Sequence, residues 1–142
     1  MPYPPMMVQP MRDDLTRLGF RELTTADEVD RAVAEDSEPM LVVVNSVCGC
    51  AAGVARPGVA LSLTSSAAPK KRATVFAGQD LEATARVRSY FTGFHPSSPQ
   101  IAILSRGKLL YMLQRHEIEG RSAEEIAATL TAAYEKLSTP AA

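Results

Sequence analysis

The sequence contains few of the residues that carry redox, metal or nucleic-acid chemistry. Its 142 residues include two cysteines, two histidines and no tryptophan, and 15 Lys and Arg nearly balance 16 Asp and Glu. The densest basic cluster is Lys70, Lys71 and Arg72, which is typical of a solvated loop before a strand. We therefore expect neither a nucleic-acid partner nor a membrane partner.

Long apolar segments are also missing. Prolines interrupt the first stretch, MPYPPMMVQPMRDD, where a signal peptide needs an unbroken apolar core, and no later segment approaches transmembrane length. We expect a cytoplasmic protein, and in that reducing compartment a cysteine pair is more often catalytic, redox-sensing or metal-binding than a permanent cross-link. A chain of this length buries a core without disulfides, which predicts a single domain over residues 1–142.

Both cysteines lie in one stretch, residues 40–53, with the sequence MLVVVNSVCGCAAG. The β-branched run before them predicts a buried strand, and the small residues after them favour a helix. Cys48 and Cys50 therefore lie at a strand-to-helix turn, where free backbone N–H groups and the helix dipole favour the thiolate. A stabilised thiolate also stabilises the reduced form, so the corresponding disulfide becomes a stronger oxidant.

The two cysteines are separated only by Gly49. In a regular helix, residues two apart point to nearly opposite sides, so a Cys48–Cys50 disulfide needs a turn-like backbone. Gly49 has no Cβ and allows such a backbone. We expect this disulfide to be strained and easily reduced, which suits thiol–disulfide exchange better than structural cross-linking.

Residues 1–39 predict two helices ahead of the cysteine stretch. The first covers residues 8–18 and ends at Gly19, a typical residue after a helix C-terminus. The second is opened by a capping box that Thr25 and Glu28 form. We assign both helices packing roles only, as an N-terminal helical extension.

The rest of the chain, residues 40–137, predicts an α/β core. Its predicted elements are a strand at 40–45, a helix at 49–64 kinked at Pro57, a strand at 72–77, a helix at 81–90 with Asp80 as N-cap, hairpin strands at 100–104 and 109–114, and a helix opened by a capping box at Ser122. A parallel strand–helix–strand unit followed by a hairpin implies a mixed four-stranded sheet with helices on both faces. This succession resembles the thioredoxin fold, whose redox-active cysteines occupy the position of Cys48 and Cys50.

Six short strings occur in an order that one bacterial family shares. The strings are VVVNSVCGCAAG, ARP at 55–57, TVFAGQD at 74–80, YFTG at 90–93, PSSP at 96–99 and RHEIEG at 115–120. Together they resemble the bacilliredoxins, which are CGC-containing thioredoxin-like proteins of bacteria that use the small thiol bacillithiol. The resemblance covers nearly the whole chain apart from the extreme termini.

The resemblance implies a thiol–disulfide oxidoreductase. Cys48 would be the nucleophile that removes bacillithiol from a mixed disulfide on an oxidised protein, and Cys50 would be the resolving cysteine. Bacillithiol or another low-molecular-weight thiol is then a co-substrate, no cofactor is bound, and the partners are S-thiolated client proteins. Some members carry a further cysteine near the C-terminus. This sequence has none, so we expect no third thiol of the chain to resolve the intermediate.

The resemblance also implies a substrate-binding loop around Pro99. This residue matches the proline that is usually cis in thioredoxin-like folds and lies beside the reactive sulfur. A cis bond at this position exposes the backbone of Ser98 for pairing with an extended client chain. An ordinary trans turn proline is the alternative.

Two other functions compete with the removal of bacillithiol. General reduction or isomerisation of protein disulfides is favoured by an oxidising CGC couple. The other is a binding module without catalysis, in which both cysteines and both histidines, His95 and His116, hold a metal. Their spacing matches no closed structural zinc pattern, so we expect no metal.

The neighbours of the cysteines offer little acid–base chemistry. The strand before them contains no carboxylate, so we expect no buried acid behind the sulfurs. Asn45 and Ser46 either hydrogen-bond near the turn or satisfy the local backbone. His116 lies beside Glu117 and is either a general base or, the more ordinary case, a loop residue, and we place neither histidine among the catalytic residues.

Overall fold

The computed structural model describes residues 3–35 and 38–138. The ends of the predicted domain, at residues 1 and 142, lie outside these ranges. The elements in chain order are α1 (Pro5–Thr16), β1 (Arg21–Glu22), α2 (Ala26–Ala34), β2 (Met40–Asn45), a π turn (Ala51–Ala55), α3 (Arg56–Ser62), β3 (Lys71–Phe76), α4 (Leu81–Ser89), β4 (Gln100–Ser105), β5 (Lys108–Leu113), α5 (Arg115–Ile118) and α6 (Ala123–Ser138).

The central strand β2 is buried on both faces of the sheet, and its alternating side chains divide the core into two layers. Met40, Val42 and Val44 pack on one face, against α2 and α4. Leu41 and Val43 pack on the other, against side chains of α1, α3 and α6. The apolar run at 40–45 therefore forms the predicted strand because both of its faces are covered by helices.

The sheet has the strand order β1-β3-β2-β4-β5, and it is mixed. β2 pairs with β3 in parallel and with β4 in antiparallel orientation. The β4–β5 hairpin turns through Arg106 and Gly107, which both have positive φ, at 51° and 80°. A two-residue loop with this backbone matches the right-handed twist of the strands, so the predicted hairpin is confirmed.

The predicted sheet of four strands is one strand too small. Within the described residues, the fifth strand is β1, which pairs in parallel with β3 through Arg21 and Glu22. Its two polar residues have no alternating apolar pattern, so sequence periodicity could not reveal it. The N-terminal extension therefore supplies an edge strand as well as two helices.

Where we predicted a kink at Pro57, the helix has a π turn just before that proline. The backbone N–H of Arg56 donates to the carbonyl of Ala51, five residues earlier. In an α-helix the ring of Pro57 would clash with the carbonyl four residues before it, which belongs to Gly53. The wider π turn changes this spacing and rotates the following residues by about 100° relative to an uninterrupted α-helix.

Helix ends are confirmed in two places and corrected in a third. Reciprocal capping boxes open α2, through Thr25 and Glu28, and α6, through Ser122 and Glu125. Asp80 precedes α4 as predicted, but its side chain makes no cap hydrogen bond. Its carboxylate is held by other partners.

Those partners join the first helix to the end of β3. Both nitrogens at the tip of Arg12 donate to the two carboxylate oxygens of Asp80, each over 2.9 Å. The same guanidinium lies 5.2 Å from the ring centroid of Phe76, within the range of a cation–π interaction. Asp80 also accepts a bond from the backbone N–H of Phe76, so its carboxylate serves the tertiary structure and not the cap.

Candidate active site

The two cysteines lie where β2 gives way to helix, as the sequence predicts. Cys48 is in the turn, and the helical backbone begins at Gly49. The carbonyl of Cys48 accepts the first helical bonds, from the N–H groups of Ala51 and Ala52 at 3.1 and 3.2 Å. Both thiols are free and half-buried, so they are reduced and within reach of solvent.

Several hydrogen-bond donors lie near the sulfur of Cys48. The hydroxyl of Ser46 donates to Sγ over 3.3 Å. Partial burial raises the pKa of Cys48, but the Ser46 hydroxyl, the backbone N–H groups of Ala51 and Cys50 and the positive charge of Arg115 lower it. The balance holds the pKa of Cys48 below its ordinary value and increases the thiolate fraction at neutral pH.

The environment of Cys50 acts in the opposite direction. Burial, the charge of Cys48 and the charge of Glu119 all raise the pKa of Cys50, and Arg115 lowers it only in part. Two sulfurs separated by one residue therefore differ in acidity. Cys48 is the more ionised thiol, which fits a nucleophile, and Cys50 keeps its proton.

Gly49 does not use its conformational freedom in the reduced protein. Its φ is not in the left-handed region, and a Cβ at this position would have no atom within 4 Å. Neither strain nor crowding in this state therefore requires glycine. Its predicted role in forming a Cys48–Cys50 disulfide stays a prediction.

The peptide bond between Ser98 and Pro99 is cis, and the loop that contains it lies against Cys48. The carbonyl oxygen of Ser98 is 3.8 Å from Cys48 Sγ, close enough to accept a weak bond from the thiol. The same carbonyl accepts from Arg115 over 3.4 Å, and Arg88 donates to the preceding carbonyl, of Ser97, over 2.7 Å. The two predicted substrate-binding residues are thus placed beside the predicted nucleophile.

The two histidines do not join this site. His95 and His116 are both exposed, and neither side chain hydrogen-bonds to a cysteine within the described ranges. His116 lies on α5, a short helix where we predicted a loop. No three His, Cys, Asp or Glu side chains in residues 3–35 and 38–138 are grouped to hold a metal ion. Within those same ranges, no helix combines the length and the apolar character that crossing a membrane requires.

Sequence reasoning missed three charged residues near the cysteines. Arg115, at the start of α5, and Glu119, just after its end, act on the sulfurs through their charges. Arg56 is buried beneath the turn, where it binds Asn45 and Ser46. The string ARP contains Arg56, but a single arginine in a helix start carries no signal of burial. α1 also has more than a packing role, because the Met11 carbonyl accepts a bond from Asn45 over 3.0 Å.

Solved thioredoxins have the same fold at low sequence identity. An oxidised thioredoxin from Plasmodium falciparum superposes with a TM-score of 0.53 and 16% identity, over 84% of this chain and 99% of that one. Thioredoxin O2 from Arabidopsis thaliana gives the same TM-score and identity over 87% of this chain and 97% of its own. The predicted thioredoxin-like class is confirmed.

Sequence comparisons assign the family. A protein family described as "Disulphide isomerase" matches residues 3–138. A bacilliredoxin of Koribacter versatilis is 52% identical, over 94% of this chain and 92% of its own. Another, from Salinibacter ruber, is 55% identical over 95% and 81%, and one from Bacillus licheniformis is 47% identical over 94% of both. With its reduced cysteine pair on a thioredoxin fold, the chain belongs to the bacilliredoxin family of thiol–disulfide oxidoreductases.

Proposed function

We propose that this protein removes bacillithiol from mixed disulfides on oxidised cytosolic proteins, with Cys48 as nucleophile and Cys50 as resolving thiol. The observation that carries the proposal is the difference in acidity between the two sulfurs. The pKa of Cys48 is lowered by nearby donors, although burial opposes them, and the pKa of Cys50 is raised by burial and by its anionic neighbours. Cys48 is therefore the thiol that ionises first and attacks, and Cys50 stays protonated until the second step.

The first step exchanges one disulfide for another. The Cys48 thiolate attacks the bacillithiol sulfur of the mixed disulfide, and the bond from that sulfur to the client sulfur breaks. A disulfide between Cys48 and bacillithiol forms, and the client leaves as a thiolate that takes a proton from water. The client is restored and the protein carries the small thiol.

The second step releases bacillithiol. Cys50 loses its proton and attacks the Cys48 sulfur, which forms the Cys48–Cys50 disulfide and expels bacillithiol as a thiolate that is protonated by solvent. The protein is oxidised by two electrons, and the original mixed disulfide has become two thiols. Alternatively, a second bacillithiol attacks the adduct at the bacillithiol sulfur, which frees the Cys48 thiolate and produces the oxidised dimer of bacillithiol.

The first step changes the acidity of the thiol that acts in the second. Burial is the largest cause of the raised pKa of Cys50, and the negative charge of Cys48 is the next. Once Cys48 is part of a disulfide, that charge is gone, so Cys50 ionises more readily than before. Formation of the adduct thus prepares the thiol that resolves it.

The loop that contains Ser98 and Pro99 is the proposed binding site for the client chain. The backbone of Ser98 lies beside Cys48, and its carbonyl is held by Arg115. We infer that an extended client segment pairs with this backbone and brings its disulfide to Cys48. Bacillithiol acts as co-substrate in this scheme and no bound cofactor is needed.

Intact-mass spectrometry of two variants tests the roles of the sulfurs. After reaction with a bacillithiolated client, Cys50→Ser should accumulate one bacillithiol per chain, and Cys48→Ser should accumulate none. Wild-type protein, the control, should end mainly as the intramolecular disulfide. An adduct on Cys48→Ser and none on Cys50→Ser would exchange the two roles.

General disulfide reduction or isomerisation is the second candidate, and the description of the matching family, "Disulphide isomerase", favours it. The test compares release of bacillithiol from a modified client with refolding of a protein whose disulfides have been scrambled. Refolding without release would replace the first proposal with the second. Release without refolding would exclude the second candidate and support the first.

A further inference from the structure

The guanidinium of Arg56 is buried beneath the cysteine turn. Arg56 is 5% exposed, and it is the charged residue among the buried polar residues of the described chain. A buried charge is strongly unfavourable unless hydrogen bonds and an opposite charge compensate it. An apolar side chain of similar length would fill this space at lower cost, so the contacts of Arg56 need a reason beyond packing.

Those contacts are specific and lead toward the sulfur. Nη1 of Arg56 donates to Asn45 Oδ1 over 2.8 Å and to the Ser46 carbonyl over 2.9 Å. Nε donates to the carboxylate of Asp14 on α1 over 3.1 Å, and this pair supplies the opposite charge. The planar fork of the guanidinium thus holds the last residue of β2 and the residue after it, and anchors both to α1.

Asn45 also holds the backbone of Ser46 in place. Its Oδ1 accepts a second bond, from the backbone N–H of Ser46 over 2.9 Å, and its amide nitrogen donates to the Met11 carbonyl over 3.0 Å. Ser46 therefore has its carbonyl bound to Arg56 and its N–H bound to Asn45. Its backbone is fixed at both ends.

The fixed backbone directs the hydroxyl of Ser46 to the reactive sulfur. Ser46 Oγ donates to Cys48 Sγ over 3.3 Å, and it accepts a bond from the backbone N–H of Cys48 over 3.4 Å. A hydroxyl donor stabilises a thiolate only when it is held in the right direction. Ser46 is therefore the one residue that links Arg56 to Cys48 through hydrogen bonds.

The π turn is what brings Arg56 to this path. Because the turn holds one more residue than an α-helical turn, it rotates Arg56 by about 100° from the place an uninterrupted helix would give it. We propose that Arg56 is a positioning residue for Cys48, which acts through Ser46 by holding the hydroxyl donor on the reacting sulfur. The inference depends on a reactive Cys48, not on the identity of the small thiol.

The test is a double-mutant cycle on the reactivity of Cys48. Full-length protein with Cys50→Ser has one thiol, and its alkylation by iodoacetamide is followed from pH 5 to pH 10. Arg56→Met and Ser46→Ala should each slow alkylation at pH 7 by about three- to tenfold and move the titration midpoint to higher pH, corresponding to about half to one pKa unit. The double variant should be no slower than the slower single variant, because both changes remove the same hydrogen bond.

Arg72→Met is the matched control. Arg72 is also an arginine that donates to two backbone carbonyls, those of Leu18 and Pro69, but it lies at the opposite end of the sheet. We expect Arg72→Met to lower the free energy of unfolding of the protein and to leave the titration midpoint of Cys48 unchanged. If Arg56→Met does not fold, Arg56→Lys replaces it in the cycle, because lysine keeps the charge and loses the fork.

Two results would overturn the inference. One is a folded Arg56 variant whose Cys48 titrates at the wild-type midpoint. The other is an Arg56 effect that adds in full to that of Ser46→Ala, because an independent path would then connect Arg56 to the sulfur. Neither result concerns bacillithiol, so the inference can fail while the proposed function stands.

Discussion

Arg115 and Glu119 form an ion pair beside the two cysteines, and the two charges act in opposite directions on the sulfurs. The positive charge of Arg115 lowers the pKa of Cys48. The negative charge of Glu119 raises the pKa of Cys50. A single exposed pair, between the first residue of α5 and the residue that follows this helix, therefore widens the difference in acidity between the two thiols.

Neutralising Arg115 should make Cys48 a weaker acid. In Arg115→Gln, with Cys50→Ser as background, we expect alkylation at pH 7 to slow by about two- to threefold, a small effect because the charge is exposed. The midpoint should move to higher pH, and high salt should shrink the difference from wild type. The control is Arg86→Gln, which breaks the exposed pair between Arg86 on α4 and Asp30 on α2. An unchanged midpoint in Arg115→Gln would contradict the assigned charge effect.

Neutralising Glu119 should act on the other sulfur. In Glu119→Gln, with Cys48→Ser as background, we expect the midpoint of Cys50 to move to lower pH because a charge that disfavours its thiolate is gone. The measurement is again the pH dependence of alkylation. A midpoint that moves upward would show that Glu119 supports ionisation of Cys50 instead.

Gly49→Ala separates the reduced state from disulfide formation. A Cβ at this position meets no atom within 4 Å, so we expect the variant to match wild type within about twofold in alkylation of Cys48. Closing the Cys48–Cys50 disulfide should be slower, because the alanine restricts the turn-like backbone that this bond needs. Reaction of the reduced protein with iodoacetamide measures the first rate, and loss of free thiols after mixing with an oxidant measures the second. Equal closure rates in the two proteins would remove the predicted role of glycine.

Gly58→Ala should destabilise the contact between α3 and α6. The added methyl would lie 2.8 Å from Cβ and Cγ2 of the fully buried Ile126, which must shift. Overpacking of this kind costs about 1–3 kcal/mol in the free energy of unfolding. Urea denaturation measures it, with Gly53→Ala as control, because a methyl there meets no atom and glycine is a poor helix former. Equal stability of the two variants would mean that the helices separate without cost.

The hydroxyl of Tyr134 makes stability sensitive to alkaline pH. Burial raises the pKa of Tyr134 to about 12, although its bond to Ser62 opposes the shift. The unfolded chain loses this proton near pH 10, so the tyrosine's contribution is intact below that value and falls as pH rises toward 12. Tyr134→Phe should therefore lose less stability between pH 8 and pH 11 than wild type in urea denaturation. An equal loss in both proteins would place the sensitive group elsewhere.

Much of the fold could be predicted because its signals are local. The strand at 40–45 has the predicted bounds, and both capping boxes open the helices that they indicate. The two residues of each capping box lie within four positions of each other, and the strand is recognised from its own apolar run, so a short stretch of sequence is enough to predict each of them. The turn that carries Cys48 and Cys50 could be located for the same reason.

The missed features depend on partners that are distant in sequence. β1 exists because β3 accepts it, and Asp80 turns from the helix cap to Arg12, 68 residues away. Arg56 is buried because Asp14, 42 residues earlier, and the end of β2 meet it. No local pattern distinguishes such an arginine from a solvated one, since tertiary contacts decide its burial.

The attachments of α1 set a limit on transplanting this redox centre. Arg12 holds the loop after β3 through Asp80, and Met11 holds the end of β2 through Asn45. A shortened protein that begins at the strand of Met40 would keep both sulfurs, yet it would lose the bonds that hold the end of β2 and the loop before α4. A transplanted form of the cysteine motif should therefore include α1, which starts more than thirty residues before it.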